Sequence, residues 1–470
     1  MDGRRRSMIQ TCKAVLSLAW PVVLQQWLVL AVSLSDRVLS GRFQGDLSAS
    51  DQVATQAAQT TAQYLGWFLS STALLVTAGS AAVVARRVGA GDVRAANHVL
   101  HQSLLLALVV GLAWTGLMAL FLVPALRLLQ LHGDTVVFAS SYLSTLLPSL
   151  PLHLLGAAGI ACLHGAGDTR TGMWIYGAEA VLNLPLAWLG FHYIGFVGIA
   201  LGTAIAQVFG GVAVLVVLLR GRAGLRLRWN ELGLRWPIMQ ETLAIGIPAA
   251  LDGLSMQVGY LIFLAQVNTL GEAAAAAHGI ALIWEAMGYL TGVGFGTAAL
   301  TLVGQARGAV RPDRAIRAAW TAFALGATAM SIMGLIFFLL AEPMFRLMCP
   351  HDTQTAIVTL GVPVLRLVAF GMPALAACMV FVQALRGAGD ARTPLVFTWV
   401  GFFGVRIPLT FVLTRNGWGL FGAWLAMNAD MFVRGLCLMA CFARVRWRFT
   451  LPNVPSPDTT PQPASDHQTV

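Results

Sequence analysis

The sequence predicts an all-α integral membrane protein: twelve transmembrane helices in two pseudo-symmetric six-helix lobes. Three observations lead there. Of the 470 residues, 57% are hydrophobic and 11% charged, with a mean hydropathy of +0.73, the balance of a chain whose solvent is lipid. Apolar stretches recur from residue 14 to residue 442. Each is long enough to cross roughly 30 Å of hydrocarbon as a helix rising about 1.5 Å per residue, and the short alternating segments of a closed barrel are missing. Finally, "LHGAGDTRT" (163–171) returns 222 residues later as "LRGAGDART" (385–393), identical at seven of nine positions.

The basic segment 1–13 precedes an apolar run from Ala14 to Leu34. That run is long for a secretory leader and has no small-x-small cleavage pattern, so it reads as the first membrane helix. Setting each apolar run against its Gly, Pro and charged breakers places helices at 14–40, 53–80, 99–122, 135–162, 171–191 and 195–219. A second set falls at 240–268, 275–303, 318–341, 353–383, 394–414 and 418–442. The first set makes an N-lobe (14–219), the second a C-lobe (240–442), and the basic stretch 220–239 links them. The last residues, 443–470, contain "LPNVPSPDTTPQPASDHQTV", polar and rich in proline, and are expected to form a disordered cytoplasmic tail.

The halves correspond beyond the repeated nonapeptide. Pro21 aligns with Pro248, Pro151 with Pro373 and Pro185 with Pro408, and "RRVGAGDVRAA" (86–96) aligns with "QARGAVRPDRAI" (305–316). Six helices per half is an even number, so both halves enter from the same side and are related by an axis along the membrane normal. Charge sets the orientation. Of the 30 basic residues, 22 fall on one predicted face: Arg4, Arg5, Arg6, Lys13, Arg86, Arg87, Arg94, Arg170, the five arginines of 220–235, Arg307, Arg311, Arg314, Arg317, Arg386, Arg392, Arg444, Arg446 and Arg448. By the positive-inside rule that face and both termini are cytoplasmic. The net charge of +10 therefore reports topology, and no nucleic-acid partner is expected.

Catalytic and cofactor chemistry find no footing. The six cysteines lack metal-ligand spacing, with only Cys437 and Cys441 one helical turn apart, so neither a zinc site nor a disulfide framework is expected. "GAGD" is not followed by the lysine and hydroxyl of a phosphate-binding loop, and no nucleophile set or HExxH occurs. His164 and His278 stand alone and read as structural.

Five carboxylates fall inside predicted spans: Asp36, Glu179, Asp252, Glu285 and Asp430. Each costs about 2.5–3.5 kcal/mol at mid-membrane unless it finds a partner, a watery cavity or a proton. Asp36 closes the first helix in "SLSDRVLSG"; its neighbour Arg37 points elsewhere on the helix. A carboxylate placed there is suited to exchanging a proton or holding sodium. Asp252 follows Pro248 by four residues, where a bent helix frees a carbonyl, and Gln25 follows Pro21 at the same register. Glu285 lies beside Trp284, and Gln63 and Tyr64 occupy the matching register of the first half. Aromatic faces beside an acid suit an organic cation, or simply pack. Asn183 precedes Pro185 and can offer an amide to the cleft, Asp430 and Arg434 are spaced for a local ion pair, and no neighbour argues for a role of Glu179.

At these residues the chain resembles the multidrug and toxic-compound extrusion (MATE) family of secondary transporters, over about residues 14–445. The resemblance rests on "DRVLSG" late in helix 1, the doubled "GAGDTRT/GAGDART" loops, "GEAAAAAHGIAL" (271–282) and "LTLVGQARGA" (300–309). It implies two lobes around a V-shaped cleft and a non-enzymatic antiporter of the bacterial inner membrane, exporting small organic cations against protons or sodium, with no cofactor besides the coupling ion. It also implies a cation-coupling set of Asp36, Asp252 and Glu285, and a cleft lined by Gln25, Gln63, Tyr64, Asn183 and Trp284 in a monomer surrounded by lipid. Leu375 and Ala187 stand where branches of the family carry further polar groups, which favours protons over sodium. The alternative is a lipid or lipid-linked-molecule flippase of the same superfamily, which Arg37, Arg366, Arg406 and Arg434 would serve as a cationic cleft.

Overall fold

Apolar runs of this length can satisfy their backbone polar groups in lipid only as helices, and that is what the chain builds. A computed structural model describes residues 2–42, 49–128, 133–228, 233–351 and 354–444, with the side chains of several positions between 2 and 67 outside the description. The expected tail at 443–470 lies beyond it, save for its first two residues. The N-lobe comprises α1 (Asp2–Arg42), α2 (Ala49–Gly89), α3 (Val93–Leu128), α4 (Asp134–Leu146), α5 (Leu150–Ala166), α6 (Arg170–Ile194) and α7 (Phe196–Arg220). The C-lobe follows with α8 (Trp236–Asn268), α9 (Glu272–Gly308), α10 (Pro312–Met348), α11 (Thr355–Gly387), α12 (Arg392–Trp399), α13 (Ile407–Leu413) and α14 (Gly419–Arg444).

These elements make twelve crossings. α4 and α5 form one leg, joined by a tight 3₁₀ turn at Leu147–Ser149 where Pro148 and Pro151 interrupt the backbone ladder. The stretch Arg392–Arg444 is 53 residues long and folds back at Gly417 (φ 85°) and Gly419 (φ 52°), so α12–α13 and α14 run as two legs. Most helices outrun their predicted spans: α1 already includes the basic N-terminal segment, and α10 extends to Met348. Polar end turns carry no hydropathic signal, yet they continue the hydrogen-bond ladder.

The repeated motif is a corner between helices. At Gly91, Gly167 and Gly389 the backbone turns left-handed, with φ of 78°, 94° and 89°. The next amide then reaches back five residues, Asp92 to Arg87, Asp168 to Leu163 and Asp390 to Leu385, closing a Schellman turn. The aspartate caps the following helix: Asp168 Oδ1 accepts from the Thr171 amide at 3.1 Å and Oδ2 from its hydroxyl at 2.7 Å. Asp390 and Thr393 repeat this at 3.0 and 2.6 Å. Burial alone would raise the Asp168 carboxyl, but hydrogen bonds from Thr171 and from Arg222 outweigh it and hold it below the usual carboxylate range. The fourth corner, at 308–313, makes the same five-residue return from Arg311 to Ala306, but the left-handed position is Val310 (φ 56°).

All four corners lie at one end of the bundle, together with the linker, and this is the arginine-rich end. The linker backbone is strapped to α3. Asn97 pairs with Gly224 and Arg226, His101 Nε2 accepts from the Arg228 amide at 3.0 Å, and Gln102 pairs with Gly233 and Arg235.

The lobes meet through their leading helices, α1 packing on α9 and α2 on α8. They are clasped at the arginine-rich end. Glu241 of α8 takes Arg86 at 3.5 Å and Arg87 at 2.6 Å. Thr301 and Gln305 of α9 donate to the carbonyls of His164 and Gly165, and Arg317 of α10 pairs with Ser7 of α1. Glycine lets the backbones touch: a Cβ on Gly246 would fall on the Leu75 carbonyl, and one on Gly308 on that of Arg86.

Gly246→Val should therefore push α8 off α2 and cost the clasped state about 1–3 kcal/mol, seen as a wider inter-lobe distance between spin labels at the arginine-rich end. Val310→Gly relieves a left-handed β-branched residue, a strain of about 1–2 kcal/mol, against about 0.5–1 kcal/mol of added chain entropy. It should raise the melting temperature in detergent slightly; a fall would contradict the strain.

Candidate functional site

Away from the clasped end, the N-lobe holds one acid in an apolar cluster. Asp36 of α1 is 7% exposed. Its Oδ2 lies 3.4 Å from the hydroxyl of Thr203 on α7, and its Oδ1 has no hydrogen-bond partner. The same hydroxyl accepts from Asn183 Nδ2 at 3.0 Å, leaving Asn183 Oδ1 unpartnered. Thr203 has a single proton to give, and the Ile199 carbonyl competes for it at 3.1 Å. The set Asp36–Thr203–Asn183 therefore gathers more acceptor capacity than donors, the electrostatic profile of a place for a small cation. Tyr142 of α4 is close enough to feel the Asp36 charge. Ala187 is wholly buried against Gly202 and offers no further oxygen.

Two further polar groups, one on α1 and one at the end of α5, face the same glycine of α6. Gln25 Oε1 and His164 Nε2, both buried and unpartnered, lie 3.2 and 3.1 Å from where a Cβ on Gly172 would stand. Gln25 is thus turned into the lobe and not towards an open cleft. Gln63, Tyr64 and Arg37 were named from the sequence, and their side chains lie outside the described residues.

Among the described residues of the C-lobe, two of the three buried acids are already ion-paired. Asp252, expected as a coupling carboxylate, is ion-paired with Arg386 at 2.6 Å, and both are buried. This corrects the placement of Arg386 among the loop arginines: it belongs to α11, inside the lobe. Asp430 forms the expected bridge to Arg434 (2.8 Å, four residues on) and a second to Arg406 (2.8 Å) across the fold-back. Arg406 is fully buried, its guanidinium 3.9 Å from the centre of the Phe402 ring and also over Tyr260 and Phe263. The helix widens into a π-helical segment, Val400–Arg406, to seat it. Glu285 is buried within electrostatic reach of Arg406, and the neighbouring Trp284 Nε1 is unpartnered. Leu375 is core. Arg366 is exposed over Phe338, so three of the four arginines proposed as a cationic cleft are either ion-paired inside the lobe, two of them on one carboxylate, or on its surface.

Thr203 and the inward course of Arg386 were missed. One signal was present: Thr203 is the hydroxyl in the otherwise apolar "GIALGTAIAQ". Glu179 packs on Gly210 beside a small cavity it shares with His153, Tyr176 and Gln207.

Comparison with known proteins comes to the same place. A family model described as MatE matches twice, over residues 21–189 and 248–412, once per lobe. A probable multidrug resistance protein NorM of Thermotoga maritima is 26% identical over 442 residues, 93% of each chain. A multidrug resistance protein NorM of Burkholderia vietnamiensis is 29% identical over 453 residues, 92% of each. Among solved structures, the fold matches an outward-facing multidrug resistance MATE family transporter of the MOP superfamily at a TM-score of 0.84 and 20% identity, covering 92% of this chain and 95% of that one. A MOP superfamily transporter from Pyrococcus furiosus, described as having a binding pocket of reversed polarity, matches at 0.85 with 20% identity over 92% and 95%.

Asp430→Asn leaves two guanidinium groups without a full counter-charge. Breaking a buried pair of this kind costs about 3–5 kcal/mol, so the variant should lose most of its folded yield in detergent. Replacing Arg406 and Asp430 together by Leu and Asn should recover part of it.

Proposed function

Because the chain belongs to the MatE family of secondary transporters, we propose that it exports small organic cations and drugs in exchange for an inflowing cation, a proton in preference to sodium. The observation that carries this reading is Asp36: a buried acid with an unpartnered oxygen, linked through Thr203 to an equally unpartnered Asn183 amide. A proton fits such a site with one oxygen. Sodium asks for a shell of them, and Ala187 and Leu375 supply none.

The clasp at the arginine-rich end, cytoplasmic by the charge rule, leaves the cleft to open outward. In that state a proton arriving on Asp36 removes its charge and with it the attraction for a cationic drug, which leaves. The neutral site then crosses the hydrocarbon at lower cost as the lobes rock inward, where the Glu241–Arg86/Arg87 clasp must part. Glu285 is the acid that serves the second lobe. Each net charge moved is worth about 2.3 kcal/mol per 100 mV, and about 1.4 kcal/mol is tenfold, so one charge sustains a gradient of roughly 50-fold. The protein works in the bacterial inner membrane as a monomer, since a single chain supplies both lobes of the cleft. The flippase alternative is the weaker reading because Asp430 pairs with both Arg406 and Arg434 inside the lobe and offsets one of their two charges.

Reconstituted protein should move ethidium under an imposed proton gradient and do so poorly under a sodium gradient alone. Asp36→Asn should reduce proton-driven movement at least a hundredfold with insertion intact, and Thr203→Val should lower it by about tenfold. Normal transport by a well-inserted Asp36→Asn protein would sink the assignment.

A further inference from the structure

Superposing the halves through their own sequence landmarks shows what each lobe does with the same positions. The Pro21/Pro248 register pairs Gln25 with Asp252 and Asp36 with Phe263; the repeated nonapeptide pairs His164 with Arg386; the Pro185/Pro408 register pairs Asn183 with Arg406. Both juxtapositions have a counterpart in the other lobe. Where the N-lobe brings Gln25 and His164 together at Gly172, the C-lobe brings together Asp252 and Arg386. Where the N-lobe sets Asp36 near Asn183, the C-lobe sets Phe263 against the Arg406 guanidinium.

We propose that Arg386 is a built-in substitute for the coupling cation in the C-lobe: its guanidinium occupies, on Asp252, the place an exchangeable proton or sodium ion would take, and so determines that this acid takes no part in ion exchange.

The inference rests on the reading of the chain as a cation-coupled exporter and deepens it. The Arg386 Nη2 to Asp252 Oδ2 distance is 2.6 Å, with 6% and 5% of the two side chains exposed. A guanidinium does not lose its proton in proteins. A proton landing on Asp252 would leave that charge buried and unanswered, and a sodium ion would have to displace it. Among the described residues no other carboxylate pairs with Arg386: Gln383 of α11 approaches its Nη1 at 3.5 Å, and Tyr289 of α9 lies within electrostatic reach of both members of the pair and of Arg434. Asp36, by contrast, has only the neutral Thr203 and Asn183 among its described hydrogen-bonding neighbours. His164 at the repeat position of Arg386 leaves the N-lobe without a guanidinium beside Gln25, and the one charge-changing difference in the nonapeptide falls there.

The test uses full-length protein in detergent and ethidium as the transported probe. Protons released per ethidium bound are counted with a pH dye in weakly buffered, sodium-free solution, and sodium-22 retention is read in parallel. Arg386→Gln should add one displaceable cation per protein in one of the two assays, because Asp252 is freed. Asp252→Gln/Arg386→His, which installs the N-lobe's own pair, should return the count to that of the natural protein. If Arg386→Gln does not fold, the double variant decides alone: an unchanged count supports the proposal, and a count lower by one overturns it. An unchanged count in folded Arg386→Gln also overturns it. The Asp36→Asn protein separates the two readings. Loss of release there upholds the exporter reading whatever Arg386 does, and full release there overturns that reading without reference to Arg386.

Discussion

Charge in hydrocarbon has to be answered, and nearly every polar feature of this protein follows from how each answer is given. An unpaired carboxylate or guanidinium deep in a lobe would be too costly to fold around, so Asp252 is matched by Arg386 and Asp430 by two arginines. Asp36 is answered otherwise, by a neutral hydroxyl in place of a guanidinium, with one oxygen unpartnered among the described residues. A group in that condition is sensitive to the arrival of a small cation, while an acid already held by a guanidinium is less so. The two lobes share a backbone plan and differ in which of these solutions they adopt.

The shared plan rests on the corners. A left-handed glycine closes one helix and the next residue, an aspartate, caps another, so a chain of long apolar helices can reverse direction in a few residues at a water-facing end. Repeating the corner fixes the helices at the clasped end with little tolerance, which is where the lobes meet through glycine and where the arginines gather. The opposite ends, free of such fixings among the described residues, carry Asp36, Asn183 and Glu285. Rigidity and exchange are thus assigned to different ends of the same helices.

Most of the fold was legible in the sequence. Hydropathy located the helices, the repeat gave the two lobes, and the twofold match of the family model agrees with it. Helix ends were less legible because polar terminal turns, as in α1 and α10, look like loop to a hydropathy argument. The site was legible in part. Asp36 and Asn183 announce themselves as polar groups in apolar helices, but Thr203 does not, since a lone hydroxyl in a membrane helix commonly bonds its own backbone, as Thr203 also does to Ile199. Arg386 was read as a loop residue because the sequence cannot say whether a long side chain at a helix end turns to water or back into the lobe. Only the position of Asp252, 134 residues away, decides that.

The strapped linker has a consequence for what connects the lobes. Because Asn97, His101 and Gln102 hold the linker backbone to α3 at Gly224, Arg226, Arg228, Gly233 and Arg235, those parts of the linker travel with the N-lobe as a splint. The covalent joint between the lobes shrinks to the step from Arg235 into Trp236 and Pro237 at the head of α8. Mechanically the protein is then a heterodimer whose subunits happen to be tied at one point. Two half-chains divided at that joint would each carry one side of the clasp that holds the lobes together.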